Sequence, residues 1–237
     1  MGALKAFTEA GLDFQVVSGT SVGALVGALY ATGANINDII EAGAELDPRE
    51  VHGGTLFIPS PAKKLEDVAR KYIGGMTFES LGKKFACVAV DLAEAKQVIL
   101  DKGVIAKAVS ASCAVPGVFR PAVIDGRNLV DGGILNTIPT DVARMLGADF
   151  VVAVDVNATR GRGTASTRTI DVLQACLRIL TAQNAATGIA GADALVSVDL
   201  RDFSAAKKDG YLQMMDAGYN AAKATVPTII EKLRARS

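Results

Sequence analysis

The stretch VVSGTSVGALVGALYATG, residues 16–33, constrains the fold of this chain more than any other. A β-branched run stops at Gly-Thr-Ser-Val-Gly and an apolar helical run follows, which predicts a strand that turns directly into a helix. Gly19, Ser21 and Gly23 fit the G-x-S-x-G pattern of a nucleophile elbow, whose strained turn lifts the serine oxygen clear of the sheet and needs neighbours without side chains. The Val22 N–H at the helix start is then the first donor expected for an oxyanion.

The same residues fit a second interpretation, a helix capped by Ser18, Thr20 or Ser21 with glycines for close packing. Glycine and serine are common, so the five-residue pattern alone leaves both interpretations open. The predicted strand end and helix start on either side of Ser21 are the context that an elbow requires, and they favour the nucleophile.

Short β-branched runs alternate with longer helical runs along the chain. This alternation is typical of a mostly parallel sheet covered by helices, and 237 residues, half of them apolar, suit one α/β domain over residues 1–237. The predicted strands are Phe14–Ser18, Phe85–Leu92, Gln97–Leu100, Val118–Ile124, Asn128–Asp131, Phe150–Val156 and Leu195–Asp199. The predicted helices are Gly2–Ala10, Ser21–Thr32, Ile36–Leu46, Pro61–Ile73, Val104–Ala111, Pro139–Leu146, Ile170–Ala186 and Asp209–Arg234.

Charge and cysteine content limit the partners, metal sites and disulfides that this chain is expected to have. Lys+Arg and Asp+Glu total 25 each, so no overall field attracts nucleic acid or an anionic membrane. Three scattered cysteines without a CxxC pair argue against zinc and disulfides, and each is expected to be buried. With no signal peptide recognised, a cytoplasmic protein is expected. The basic stretch Thr159–Thr169 predicts a solvated loop, with a lid or contact with anionic headgroups as alternatives.

A serine nucleophile needs a base, and the chain has a single histidine, His52, in a Gly-rich connection. A carboxylate acting directly on the serine is therefore expected. Four aspartates end apolar runs, and the carboxyl ends of parallel strands gather at one edge of a sheet. Only one of them precedes two glycines, Gly132 and Gly133, which allow a close approach of the backbone. The four aspartates are Asp91, Asp131, Asp155 and Asp199.

Three segments resemble the patatin-like phospholipase family: VVSGTSVGALVGALYATG, AVSASCAVPGVFRPAVIDGRNLVDGGILNTIPTDVARMLGAD and DFSAAKKDGYLQMMDAGYNAAK. The first two carry G-T-S-x-G, S-x-x-x-P-G-x-F, and D-G-G followed by N-x-x-P. The resemblance implies a three-layer α/β/α fold with a nucleophile elbow. It also implies a catalytic dyad of Ser21 and Asp131 without histidine, metal or organic cofactor. Asn136 and Pro139 are expected to fix the loop after Asp131.

The activity that this resemblance implies is hydrolysis of an acyl ester through an acyl-serine intermediate. The expected substrates are phospholipids, lysophospholipids or other acyl esters, and this substrate class predicts transient contact with a membrane surface. No nucleic-acid partner is expected, and the oligomeric state is left open.

The sequence departs from the family at its start, where the first strand and the Gly-rich oxyanion loop of the family are not found. We therefore expect a domain that lacks both elements, through a misassigned start, a truncation or a natural loss. Each missing oxyanion donor costs on the order of 10²–10³ in rate. The missing donors suggest one alternative, a catalytically impaired protein that binds acyl lipids or has a regulatory role. A second alternative is an acyltransferase that uses the same dyad.

Overall fold

A computed structural model describes residues 1–45, 59–157, 167–201, 203 and 210–236. The predicted strands and helices are confirmed there, with ends shifted by a few residues. The strands are β1 (Val16–Thr20), β2 (Lys84–Asp91), β3 (Lys96–Leu100), β4 (Ala122–Ile124), β5 (Arg127–Asp131), β6 (Val152–Asp155) and β7 (Ala194–Ser197). The helices are α1 (Gly2–Glu9), α2 (Val22–Ala31), α3 (Ile36–Glu45), α4 (Lys63–Ile73), α5 (Ile105–Ser112), α6 (Thr140–Met145), α7 (Thr169–Ala190) and α8 (Gly210–Arg234).

The larger described sheet is mixed, which corrects the expectation of a mostly parallel sheet. β1 pairs with β2 in parallel, whereas β3 and β5 pair with β2, and β4 with β5, in antiparallel fashion. The connection between β4 and β5 explains one of these antiparallel pairs, because the two residues Asp125 and Gly126, both at positive φ, join the strands as a tight hairpin. β6 and β7 form a separate parallel pair.

Helices cover both faces of this sheet, as a three-layer fold requires. Phe85, Cys87 and Ala89 point from one face of β2 into the largest apolar cluster, which α2, α3, α4 and α5 complete. The alternate residues Ala86 and Val88 pack against Val142 of α6 on the other face.

A second apolar cluster joins α1, α8 and the strand pair of β6 and β7, with Phe7, Val196 and Ile229 buried in it. None of the helices in the described ranges is both long and apolar enough to cross a bilayer. That the whole chain forms one domain stays a prediction.

The turn between β1 and α2 confirms the strand–turn–helix geometry of the elbow. Ser21 has φ 55° and ψ −124°, a conformation that is strained for a residue with a side chain. A Cβ on Gly19 would lie 2.3 Å from the carbonyl oxygen of Gly23, so only glycine fits there. A Cβ on Gly23 would meet nothing within 4 Å. The steric argument therefore applies to Gly19 and is wrong for Gly23.

This difference between the two glycines can be measured. Gly19→Ala should lower the free energy of unfolding by about 1–3 kcal/mol or more, because the new methyl group meets backbone atoms that cannot move aside. Gly23→Ala, the matched control in the first turn of α2, should leave that free energy unchanged or raise it by up to ~1 kcal/mol, since alanine favours the helix. Urea unfolding of both variants compares them; equal losses would contradict the described packing of β1 on α2.

Candidate active site

Ser21 lies at the junction of β1 and α2, and a hydrogen bond to α5 holds its backbone in place. Its N–H donates to Ser112 Oγ over 3.0 Å, and Ser112 is fully buried at the end of that helix. The next N–H along the chain, that of Val22, donates to no acceptor in the described part of the chain. Val22 is the first residue of α2, so this free N–H lies at the positive end of the helix dipole. The junction therefore offers a hydroxyl and an unpaired donor side by side.

Asp131 ends β5 and is 7% exposed. Its Oδ1 accepts a hydrogen bond of 2.8 Å from the Gly133 N–H, and its own N–H donates to the Ala114 carbonyl over 3.0 Å. Burial raises the pKa of the Asp131 carboxyl, against the smaller lowering effects of the neighbouring Ser21 hydroxyl and of the Gly133 N–H. A carboxylate with a raised pKa is a stronger base than a solvated one.

The register of the sheet explains why these two residues lie near each other. β3 pairs with β2 over Cys87–Asp91, so β1, paired over Lys84–Val88, and β5, paired over Ala89–Asp91, must share the opposite edge of β2. Thr20, the last residue of β1, pairs with Val88, and Asp131 pairs with Ala89. The two strands thus approach each other end to end along one edge, and their ends bring Ser21 to Asp131.

Hydrogen bonds fix β1 to the loop that follows Asp131. Thr20 Oγ1 donates to the Asn136 carbonyl over 2.8 Å, and Ser18 Oγ donates to the Pro139 carbonyl over 2.7 Å. Asn136 Nδ2 in turn donates to Asp141 Oδ1 over 2.8 Å. Asn136 and Pro139 therefore fix this loop, as the sequence indicated, through their carbonyl groups.

The two glycines after Asp131 serve different purposes. A Cβ on Gly132 would lie 2.3 Å from the Val88 carbonyl oxygen, so this residue allows the chain to cross close over β2. Gly133 supplies the N–H that binds Asp131, and a Cβ there would lie 3.1 Å from that carboxylate. Both glycines thus support the position of the carboxylate.

The other three aspartates at strand ends lie in local turns. Asp91 Oδ1 accepts from the Ala93 N–H over 2.9 Å, Asp155 Oδ1 accepts from the Asn157 N–H over 2.8 Å, and Asp199 forms an ion pair with Arg201. The structure thus brings only Asp131, of the four, to Ser21. His52 lies outside the described residues, as does most of the basic stretch Thr159–Thr169.

Sequence reasoning missed Ser112. This residue opens the quoted S-x-x-x-P-G-x-F pattern, which was the available signal, but no role was assigned to it. In the structure its hydroxyl accepts from the N–H of the strained Ser21, which satisfies a backbone donor and holds the elbow against α5.

The cysteines differ in exposure. Burial raises the pKa of the Cys87 and Cys113 thiols well above the usual range, so both are neutral at physiological pH. Cys87 is buried, Cys113 is half-buried and Cys176 is exposed on α7, which corrects the expectation that all three are buried. In the described part of the chain, no three His, Cys, Asp or Glu side chains lie together as a set of metal ligands.

Comparison with known proteins adds to this geometry. Residues 1–144 match the family model described as patatin-like phospholipase. An uncharacterized NTE family protein of Mycobacterium tuberculosis is 33% identical over 166 residues, which are 67% of this chain and 45% of that protein. The neuropathy target esterase sws of Drosophila melanogaster is 29% identical over 168 residues, 67% of this chain and 12% of that protein. This chain thus spans less than half the length of these curated relatives.

The solved structure of VipD from Legionella pneumophila has a similar fold, with a TM-score of 0.64 over 96% of this chain and 64% of that chain. At 15% identity this likeness concerns the fold alone. The fold agrees with the three-layer arrangement described above, and the family model covers more than half of the residues. The chain belongs to the patatin-like phospholipase family.

Proposed function

We propose that this chain is a serine hydrolase of lipid acyl esters, with Ser21 as the nucleophile and Asp131 as its base. The observation that carries the proposal is a serine on a strained strand–helix turn beside the end of β5, where Asp131 has a buried carboxyl whose pKa is raised by that burial. Membership of the family supports a lipid esterase in general. Phospholipids and lysophospholipids are the proposed substrates.

The reaction has two stages, acylation of Ser21 and hydrolysis of the acyl-serine. Asp131 accepts the hydroxyl proton as Ser21 Oγ attacks the ester carbonyl, and the Val22 N–H donates to the oxyanion that forms. The intermediate collapses, the C–O bond to the alcohol breaks, and the alcohol takes the proton from Asp131. Asp131 then accepts a proton from water, the hydroxide attacks the acyl-serine, and the fatty acid leaves as Ser21 regains its proton.

Burial is what makes a direct carboxylate base effective. A solvated aspartate is too weak a base to accept a proton from serine readily, whereas a desolvated one holds the proton more tightly. The hydrogen bond from the Gly133 N–H keeps Asp131 Oδ1 in place. The carboxylate therefore has the same position in both stages of the reaction. The dyad therefore needs no imidazole between serine and carboxylate.

Substitution of the dyad tests the proposal. Ser21→Ala should abolish hydrolysis of a short-chain p-nitrophenyl ester, and Asp131→Asn should lower kcat by about 10²–10⁴, the usual contribution of a general base. The matched controls are Ser110→Ala, at a buried serine of α5, and Asp199→Asn, at another aspartate that ends an apolar run; both should keep the activity of the unaltered chain. Activity that survives in Ser21→Ala or Asp131→Asn would refute the assignment.

The raised pKa of Asp131 predicts the pH dependence of this activity. Only the ionised carboxylate accepts a proton, so kcat/KM should fall as pH drops through the raised pKa, and the acid limb should lie above the usual aspartate range. The free energy of unfolding should change in the opposite sense, because a raised folded-state pKa favours the folded chain at low pH and this contribution disappears as pH rises. A rate profile whose acid limb follows an ordinary solvated aspartate would contradict the assignment.

A further inference from the structure

A small cavity lies between α4, α5 and the segment that leads into β4. Its volume is about 270 Å³. Pockets that hold drug-sized ligands have volumes of roughly 300–1,000 Å³, so this cavity suits a small molecule or one group of a larger molecule. We name it the α4–α5 pocket, and its lining includes Pro61, Lys63, Glu66, Lys107, Arg120 and Val123.

Three cationic side chains from three segments line this pocket. They are Lys63 at the start of α4, Lys107 on α5 and Arg120 shortly before β4. Glu66 is the one carboxylate among the described lining residues. The whole chain has 25 residues of each sign, so the excess of positive charge belongs to this pocket and not to the overall composition.

The cation that α4 contributes is balanced within that helix. Lys63 Nζ lies 3.3 Å from Glu66 Oε1 and 3.0 Å from Asp67 Oδ1. Arg70 Nη2, one turn further along α4, lies 2.9 Å from the same Glu66 oxygen. Two cations and two carboxylates of α4 therefore neutralise each other.

Lys107 and Arg120 lack such a balance. Both residues are exposed, and no carboxylate in the described ranges forms an ion pair with either of them. Like charges held at one pocket repel each other, and an anion bound between them removes this repulsion. A dianion supplies the two negative charges that the chain itself does not provide.

Unused hydrogen-bond donors adjoin the same pocket. The N–H groups of Ala62 and Lys63, at the positive end of the α4 dipole, donate to no acceptor in the described part of the chain. Ser60, directly before Pro61, is 3% exposed, and its Oγ has no hydrogen-bond partner among the described residues. Its carbonyl accepts from the Arg120 N–H over 2.8 Å, so this hydroxyl belongs to a residue beside the pocket. Buried polar groups are rarely unpaired, which makes the neighbourhood of the pocket unusual.

We propose that the α4–α5 pocket binds a phosphate group, either inorganic phosphate or the headgroup of an anionic lipid. The two unbalanced cations match a phosphate dianion, and guanidinium and ammonium groups are the usual partners of phosphate oxygens. A carboxylate ligand supplies a single negative charge and leaves one cation unbalanced. The site is independent of the proposed hydrolase, because neither Ser21 nor Asp131 lines it.

Equilibrium dialysis with radiolabelled inorganic phosphate tests the site. The full chain is dialysed at about pH 8, where a phosphate monoester carries two negative charges, and at constant ionic strength. K107Q/R120Q removes the two unbalanced cations. The matched control, K96Q/R178Q, removes the same charge from exposed residues of β3 and α7 that do not line the pocket.

We expect one saturable site per chain in the unaltered protein and in K96Q/R178Q. Binding should be at least about ten-fold weaker in K107Q/R120Q, because two charge-assisted contacts are lost. Both substituted side chains are exposed, so the circular dichroism spectrum of K107Q/R120Q should equal that of the unaltered chain. Equal weakening in the two double variants would show a general effect of charge and overturn the proposal.

A second dialysis distinguishes the two sources of phosphate. It uses labelled dibutyryl phosphatidic acid as single molecules, with Ser21→Ala to prevent hydrolysis. Val123 is 59% exposed in the lining and offers an acyl chain a contact that inorganic phosphate does not use. Tighter binding of the lipid, reduced by Val123→Thr, identifies a lipid headgroup, whereas equal affinities identify free phosphate. Absence of saturable binding of both ligands overturns the proposal.

Discussion

The candidate site depends on the pairing of β1 and β5 along one edge of β2. β1 ends opposite Val88 and β5 ends opposite Ala89, so two segments more than a hundred residues apart in sequence deliver their last side chains to one place. Backbone hydrogen bonds in a ladder allow little slippage, and a shift of one residue would turn Asp131 to the other face of the sheet. The proposed dyad thus depends on register as much as on residue type.

Close backbone contacts and buried hydrogen bonds then fix this arrangement. Gly19 and Gly132 let backbone approach backbone at distances that exclude a Cβ, and the Ser112 hydroxyl and the Asn136 carbonyl hold the residues around the elbow. These contacts oppose the strain of Ser21 at positive φ, which an isolated turn would relax. Such pre-organisation is what a proton transfer between two neighbouring side chains needs.

The sequence predicted the elements of this fold well because their apolar periods are strong, and the elbow because glycine spacing is a local signal. The pairing of strands was predicted poorly, since alternation of strands and helices does not report short return connections; Asp125-Gly126 was a hairpin signal that could have been used. The pattern also offered four equivalent aspartates, and the choice of Asp131 needed the family resemblance. Ser112 opens the S-x-x-x-P-G-x-F pattern, but its contact with the Ser21 N–H is a tertiary feature that the pattern alone does not report.

Activation of Ser21 by Asp131 is tested most directly by the rate at which a fluorophosphonate probe modifies the chain, followed by intact mass and peptide mapping. The account predicts one adduct, on Ser21, whose rate of formation rises with a single ionisation and drops about 10²–10⁴-fold when Asp131 is replaced by asparagine. No adduct on Ser21, or the same rate with asparagine at position 131, would contradict it.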